Sequence, residues 1–161
     1  KEDQAIQFRH RAALDLVKSY GVKNGAANRV RTALDLGSGD GRVVILAAQQ
    51  YGARGVGIEL QPHLVEASRQ IAREGEVADR VAFIEGDLFA ADISAATVVT
   101  LWLSRSVNAR LEPKLKRELR PGTRIVSHQF PIGHWVPDKT VHAEYDKTDL
   151  FLWTIKVKGQ P

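Results

Sequence analysis

The stretch Leu34-Asp35-Leu36-Gly37-Ser38-Gly39-Asp40-Gly41-Arg42 decides the architecture. It begins at the end of an aliphatic run, Val30 to Leu36, and passes through three glycines into an almost wholly apolar segment, Gly41 to Gln50. A short apolar run broken by glycines and followed by a longer apolar segment reads as strand, tight turn and buried helix. Gly55 to Leu60 supplies the next strand, so residues 30–60 predict a βαβ unit with two parallel strands.

The pattern extends outward from that unit. Pro62 suits the first position of a helix, and Leu64, Ala67, Ile71 and Ala72 mark one apolar face as far as Glu74. Val81 to Glu85 and Thr97 to Leu103 read as strands three and four, and Thr123 to Phe130 as strand five. Between the last two, Val107, Leu111, Leu115 and Leu119 recur every four residues, with Pro113 predicting a kink or the start of a second helix. Residues 141–146 and 150–157 fit an antiparallel hairpin, and residues 4–20 a helix followed by a Gly/Asn-rich linker over 21–28. The whole predicts an α/β chain: a Rossmann-like, mostly parallel seven-stranded sheet with helices on both faces and a C-terminal antiparallel hairpin. One domain over 1–161 is expected, with an N-terminal helix (1–20), a cofactor-binding core (30–130) and the hairpin (141–157).

Composition narrows the chemistry. The absence of cysteine removes disulfides, thiolate metal sites, iron–sulfur clusters and cysteine nucleophiles. The net charge of +4 is too small an excess to indicate nucleic acid, and no apolar run approaches the roughly 20 residues of a membrane span. The cytoplasm is the default expectation for location.

The glycines fall as G-x-G-x-G at Gly37, Gly39 and Gly41, and Arg42 stands where a dinucleotide fingerprint requires a small residue. Asp35 and Asp40 flank the turn and would repel a pyrophosphate, so a cationic ligand fits better. S-adenosylmethionine carries a sulfonium, an ammonium and a carboxylate. Glu59, at the end of strand two, is placed to accept bonds from two ribose hydroxyls, and Asp87, after strand three, from an adenine amino group. Ser38 in the turn, Leu60 beside Glu59, and Leu88 and Phe89 beside Asp87 complete the expected contacts. One acid alone would suit a solvated strand end; three following successive strands together with the glycine turn point to a cofactor site. No metal is expected.

The glycine turn resembles motif I of the class I methyltransferases. A closer resemblance runs through Asp92 to Leu103, Leu111 to Phe130 and His134 to Asp138, and it is to the small archaeal protein-lysine methyltransferases of broad specificity and the ATP synthase c-subunit lysine methyltransferases. That resemblance implies S-adenosylmethionine as donor, S-adenosylhomocysteine as product and a lysine of another protein as acceptor. It carries Asp35, Gly37, Gly39, Glu59 and Asp87 over as donor contacts.

On the acceptor side, Trp102, Leu103, Ser104 and Asn108 follow strand four, and Trp102, Ser104 and Asn108 are the candidates for positioning the acceptor. Leu101-Trp102-Leu103-Ser104 lacks the Asn/Asp-Pro-Pro-aromatic tetrad that holds planar amide or adenine nitrogens, which fits a lysine amine needing only orientation and loss of a proton. His128 reads as a satisfied buried histidine rather than a base, and Trp135, in a Pro-bounded loop, as a further acceptor contact. Nine residues, Pro131 to Lys139, are too few for a helical crossover and predict an acceptor face without a lid. A small-molecule methyltransferase and a non-catalytic cofactor-binding partner subunit remain the alternatives.

Overall fold

The computed structural model describes residues 9–18, 31–144 and 146–159. Residues 9–18 form helix α1; the rest of the helix expected over 4–20, the linker over 21–28 and the Val30 start of strand one lie outside the described residues. Seven strands follow in one sheet: β1 (Thr32–Leu36), β2 (Arg54–Glu59), β3 (Val81–Glu85), β4 (Val98–Leu101), β5 (Arg124–His128), β6 (Lys139–Ala143) and β7 (Thr148–Thr154). Helices α2 (Arg42–Tyr51), α3 (Pro62–Glu74) and α4 (Arg105–Glu118) connect the parallel strands. The strand order is β3-β2-β1-β4-β5-β7-β6; β7 is antiparallel to both of its neighbours and the other pairs are parallel.

The two-residue period of the strands sorts the core into two layers. Ala33, Val98, Val126 and Leu152 pack against Ala13, Leu14 and Val17 of α1 and Ala47 of α2. Their neighbours Leu34, Val99, Ile125 and Trp153 face the other way, onto Leu111 and Leu115 of α4. The sheet is therefore covered on both faces, as a buried parallel sheet requires. Among the described residues no helix is long and apolar enough to cross a membrane.

Several boundaries differ from the sequence reading. β4 ends at Leu101 instead of Leu103, because its pairing with β5 stops at Ser127 and Ser104 opens α4 three residues on. β5 ends at His128, two residues short of Phe130, where Gln129 turns to a positive φ of 69°. Pro113 starts no second helix: α4 runs through it, with Pro113 and Ala109 both exposed, so water can take the carbonyl that loses its donor. The hairpin strands lie at Lys139–Ala143 and Thr148–Thr154 rather than 141–146 and 150–157. Side-chain capping sets these ends. Asp138 accepts from the Thr154 backbone N–H, and Asp146 accepts from both the N–H and the hydroxyl of Thr148. The first residues of β6 are polar and exposed, so an apolar period could not announce them.

Candidate active site

The carboxyl ends of β1, β2 and β3 meet at the glycine turn, next to the point where the chain reverses direction across the sheet, from β1 outward to β3 and then back to β4. Open α/β sheets bind ligands at this switch point. The N–H groups of Gly37 and Ser38 both donate to the Ile58 carbonyl, at 2.9 and 3.0 Å, which ties the turn to β2. Gly37 has φ 76°, and a Cβ there would sit 2.7 Å from Leu103 Cδ2; Gly41 has φ 80°, and its Cβ would sit 2.5 Å from the Phe83 ring. The backbone thus needs glycine at both positions for conformation and for room. Above Gly39 the space is open, with nothing within 4 Å of where its Cβ would be.

Each acid is held differently. Asp35 is 2% exposed beneath the turn and accepts from the Thr100 hydroxyl at 2.7 Å. Burial pushes its carboxyl up to about 7, and the nearby charges of Glu59 and Asp40 push the same way against the Thr100 bond. Glu59 accepts from Gly39 N–H at 2.9 Å with one oxygen and from Gln61 N–H at 3.0 Å with the other, so its carboxylate is fixed while lone pairs remain. Asp87 is exposed after β3 and accepts from Phe89 N–H at 2.8 Å, while Leu88 and Phe89 rest on the core. Leu60 is 69% exposed directly beyond Glu59. Ser38 is buried, and its hydroxyl has no partner among the described residues.

Asp35, Gly37, Ser38 and Gly39 line a cleft of about 370 Å³ together with Trp102 and His10, while Glu59 and Asp87 lie outside its lining. Trp102 lies just past β4, between two imidazoles: His10 of α1 edge-on at 4.5 Å and His128 of β5 stacked at 4.3 Å. His128 Nε2 is 3.0 Å from the Thr148 hydroxyl and 3.8 Å from Asp146, and burial holds its pKa below the ordinary value. His10 was absent from the sequence reading. Helical periodicity places its neighbours Ala13, Leu14 and Val17 in the core but does not say which strand tip the helix crosses.

Other candidates stand apart from the cleft. Ser104 is exposed and caps α4, accepting from Val107 N–H at 3.3 Å. Asn108, expected to position the acceptor, is fully buried and donates to the Ser127 hydroxyl at 3.0 Å and the Phe130 carbonyl at 3.2 Å, which places it in the packing beneath the β5 turn. Trp135 packs toward Trp153, ring centroids 5.9 Å apart, with the Lys116 ammonium 4.7 Å over it, and lies away from the cleft lining.

The residues present fit S-adenosylmethionine: a buried acid without a cationic partner among the described residues, a fixed carboxylate at the next strand end, and open space above Gly39. With the seven-stranded order, this defines a class I S-adenosylmethionine-dependent methyltransferase. The ANTKMT methyltransferase domain family matches residues 35–139, and the chain belongs to that family. It is 45% identical over 112 residues to a protein-lysine N-methyltransferase of Saccharolobus islandicus, covering 68% of this chain and 69% of that one. It is 39% identical over 127 residues to the adenine nucleotide translocase lysine N-methyltransferase of Mus musculus, covering 78% of this chain and 53% of the relative, about half its length. Among solved structures, the RNA methyltransferase from Salinibacter ruber in complex with S-adenosyl-L-homocysteine superposes with a TM-score of 0.80 at 48% identity, over 92% of both chains.

Proposed function

We propose that the protein transfers the methyl group of S-adenosylmethionine to a lysine amine of another protein, in line and without a covalent enzyme intermediate. The observation that carries this reading is the open acceptor side: residues 129–138, joining β5 to β6, contain no helix, and nothing in that connection roofs the cleft between Asp35 and Trp102. A site left uncovered by that connection admits a side chain projecting from a large surface and holds a small molecule poorly. The relatives named as protein-lysine methyltransferases support the same acceptor.

When bound, the donor supplies a methyl group on a sulfonium, ready for displacement. Asp35 then binds the donor's ammonium, which draws its carboxyl back to the charged form. Glu59 holds the ribose hydroxyls, and Asp87, with Leu88 and Leu60, the adenine. Trp102, pinned between two rings, gives the acceptor chain a rigid apolar wall. A lysine at its reference pKa of about 10.4 is neutral in only about one molecule in 2,500 at pH 7. Partial burial against Trp102 favours the neutral amine, and the open mouth lets the proton leave to water, so the enzyme acts mainly by positioning.

A second reading, methylation of RNA, is favoured by the description of the Salinibacter ruber relative. Incubation with labelled donor and a lysate of the source organism separates the two. Label removed by protease and found on lysine by mass spectrometry is expected; label removed by ribonuclease would replace the lysine reading with the RNA one.

A further inference from the structure

The family match begins at residue 35, so α1 lies outside it, yet α1 brings His10 to the donor cleft. The imidazole is fixed edge-on against Trp102, and neither ring nitrogen hydrogen-bonds to a described residue. Its companions in the lining are Asp35, Gly37, Asp40 and Arg42, all from β1, the turn and the start of α2. The donor's amino-acid end carries two opposite charges, and Asp35 answers only the ammonium. Arg42 is already engaged by Asp40, its Nε 2.5 Å from that carboxylate.

We propose that His10 is a donor-binding residue, giving a ring N–H to the α-carboxylate of S-adenosylmethionine and thereby folding α1 into the donor site. The inference rests on the donor assignment and is independent of which acceptor is used. Burial holds His10 near a pKa of about 4; Asp40 opposes this, while Arg42, His128 and Arg9 reinforce it. A neutral imidazole still donates one N–H. A carboxylate arriving beside it raises its proton affinity, so donor binding adds protonation at His10.

Calorimetry tests this with two ligands, S-adenosylhomocysteine and its decarboxylated analogue, which keeps the amine and lacks the carboxylate. His10→Phe, which preserves a ring against Trp102, is expected to weaken S-adenosylhomocysteine about tenfold or more and leave the analogue unchanged. His10→Gln, which restores an N–H donor, should recover most of that loss. At pH 6, in buffers of different ionisation enthalpy, His10→Phe should release more protons on binding S-adenosylhomocysteine than the unsubstituted protein does. Equal affinity of His10→Phe and the unsubstituted protein for S-adenosylhomocysteine overturns the proposal, and a raised acceptor KM beside it would move His10 to the acceptor side. Equal weakening of both ligands overturns it as well. Failure of the unsubstituted protein to bind S-adenosylhomocysteine is a separate result, which brings down the donor assignment and this proposal with it.

Discussion

The proposed donor and acceptor ends of the site are built by different means. At the donor end three acids sit at strand ends and are fixed by directed hydrogen bonds: Asp35 to Thr100, Glu59 to the N–H groups of Gly39 and Gln61, and Asp87 to that of Phe89. At the acceptor end Trp102 is held by side chains from α1 and β5, more than 20 residues away on either side. One end is held by hydrogen bonds to charged groups, the other by the packing of rings. The first should be sensitive to loss of charge and the second to loss of shape.

The largest effect expected falls at Glu59. Glu59→Ala removes the proposed ribose acceptor and also frees the N–H groups of Gly39 and Gln61. Two charge-assisted bonds to the ligand, each worth roughly 1.5–3 kcal/mol, predict S-adenosylhomocysteine binding weakened well beyond tenfold by calorimetry. Unchanged affinity would sink the ribose assignment and, with it, the claim that hydrogen-bonded acids build the donor end.

Asp35→Asn comes next and couples binding to pH. With a folded pKa of about 7 against an ordinary value of 3.8, Asp35 holds its proton more tightly in the folded protein. The stability tied to that proton is therefore complete below about pH 4 and lost as pH climbs through 7. An amide does not titrate. In the ligand-free protein the substitution should raise Tm at pH 8 by about 5 °C, with the advantage fading toward pH 4. Donor affinity should fall about tenfold or more. A variant less stable than the unsubstituted protein at pH 8 would show that the buried carboxylate already has a counter-charge.

What could be read in the chain followed agreement among neighbouring residues. The βαβ unit was legible because glycines, alternation and an apolar helix agree over 30 adjacent residues. Asp35, Glu59 and Asp87 could be proposed as donor contacts because strand ends carry side chains to one edge. His10, in contrast, depends on where α1 crosses the sheet. Asn108 lies close to Trp102 in sequence, but a helix turns each residue by about 100°, and this side chain is packed against Ser127. The Trp135 ring packs toward Trp153 and Lys116, a placement that loop sequence does not announce.

His128→Ala probes the packed end. The imidazole stacks on Trp102 and contacts Thr148, and its pKa is already held low by burial, with Arg9 acting the same way against Asp146. A group that stays neutral has little proton affinity to lend. Loss of the stack predicts a destabilisation of about 1–2 kcal/mol, read by denaturant unfolding. Turnover at saturating donor should still rise from pH 7 to 9, following the acceptor amine. A folded, donor-binding variant without turnover would make His128 the proton acceptor.

The smallest effect is expected at Ser104, where the two ends of the cleft can be told apart most sharply. Its hydroxyl accepts from Val107 N–H at 3.3 Å, a long bond, so Ser104→Ala should cost only about 0.5–1 kcal/mol of stability. Ser104→Asp keeps a cap and places a carboxylate at the positive end of α4, so it should match or exceed the unsubstituted stability. If Ser104 serves only the helix, both variants keep the same acceptor KM, and only the alanine variant shifts in urea unfolding. A rise in acceptor KM in both, with stability falling in one alone, would mean that the hydroxyl touches the incoming chain. The acceptor end would then carry a hydrogen-bonding contact after all, and the division between a hydrogen-bonded donor end and a packed acceptor end would have to be redrawn at the start of α4.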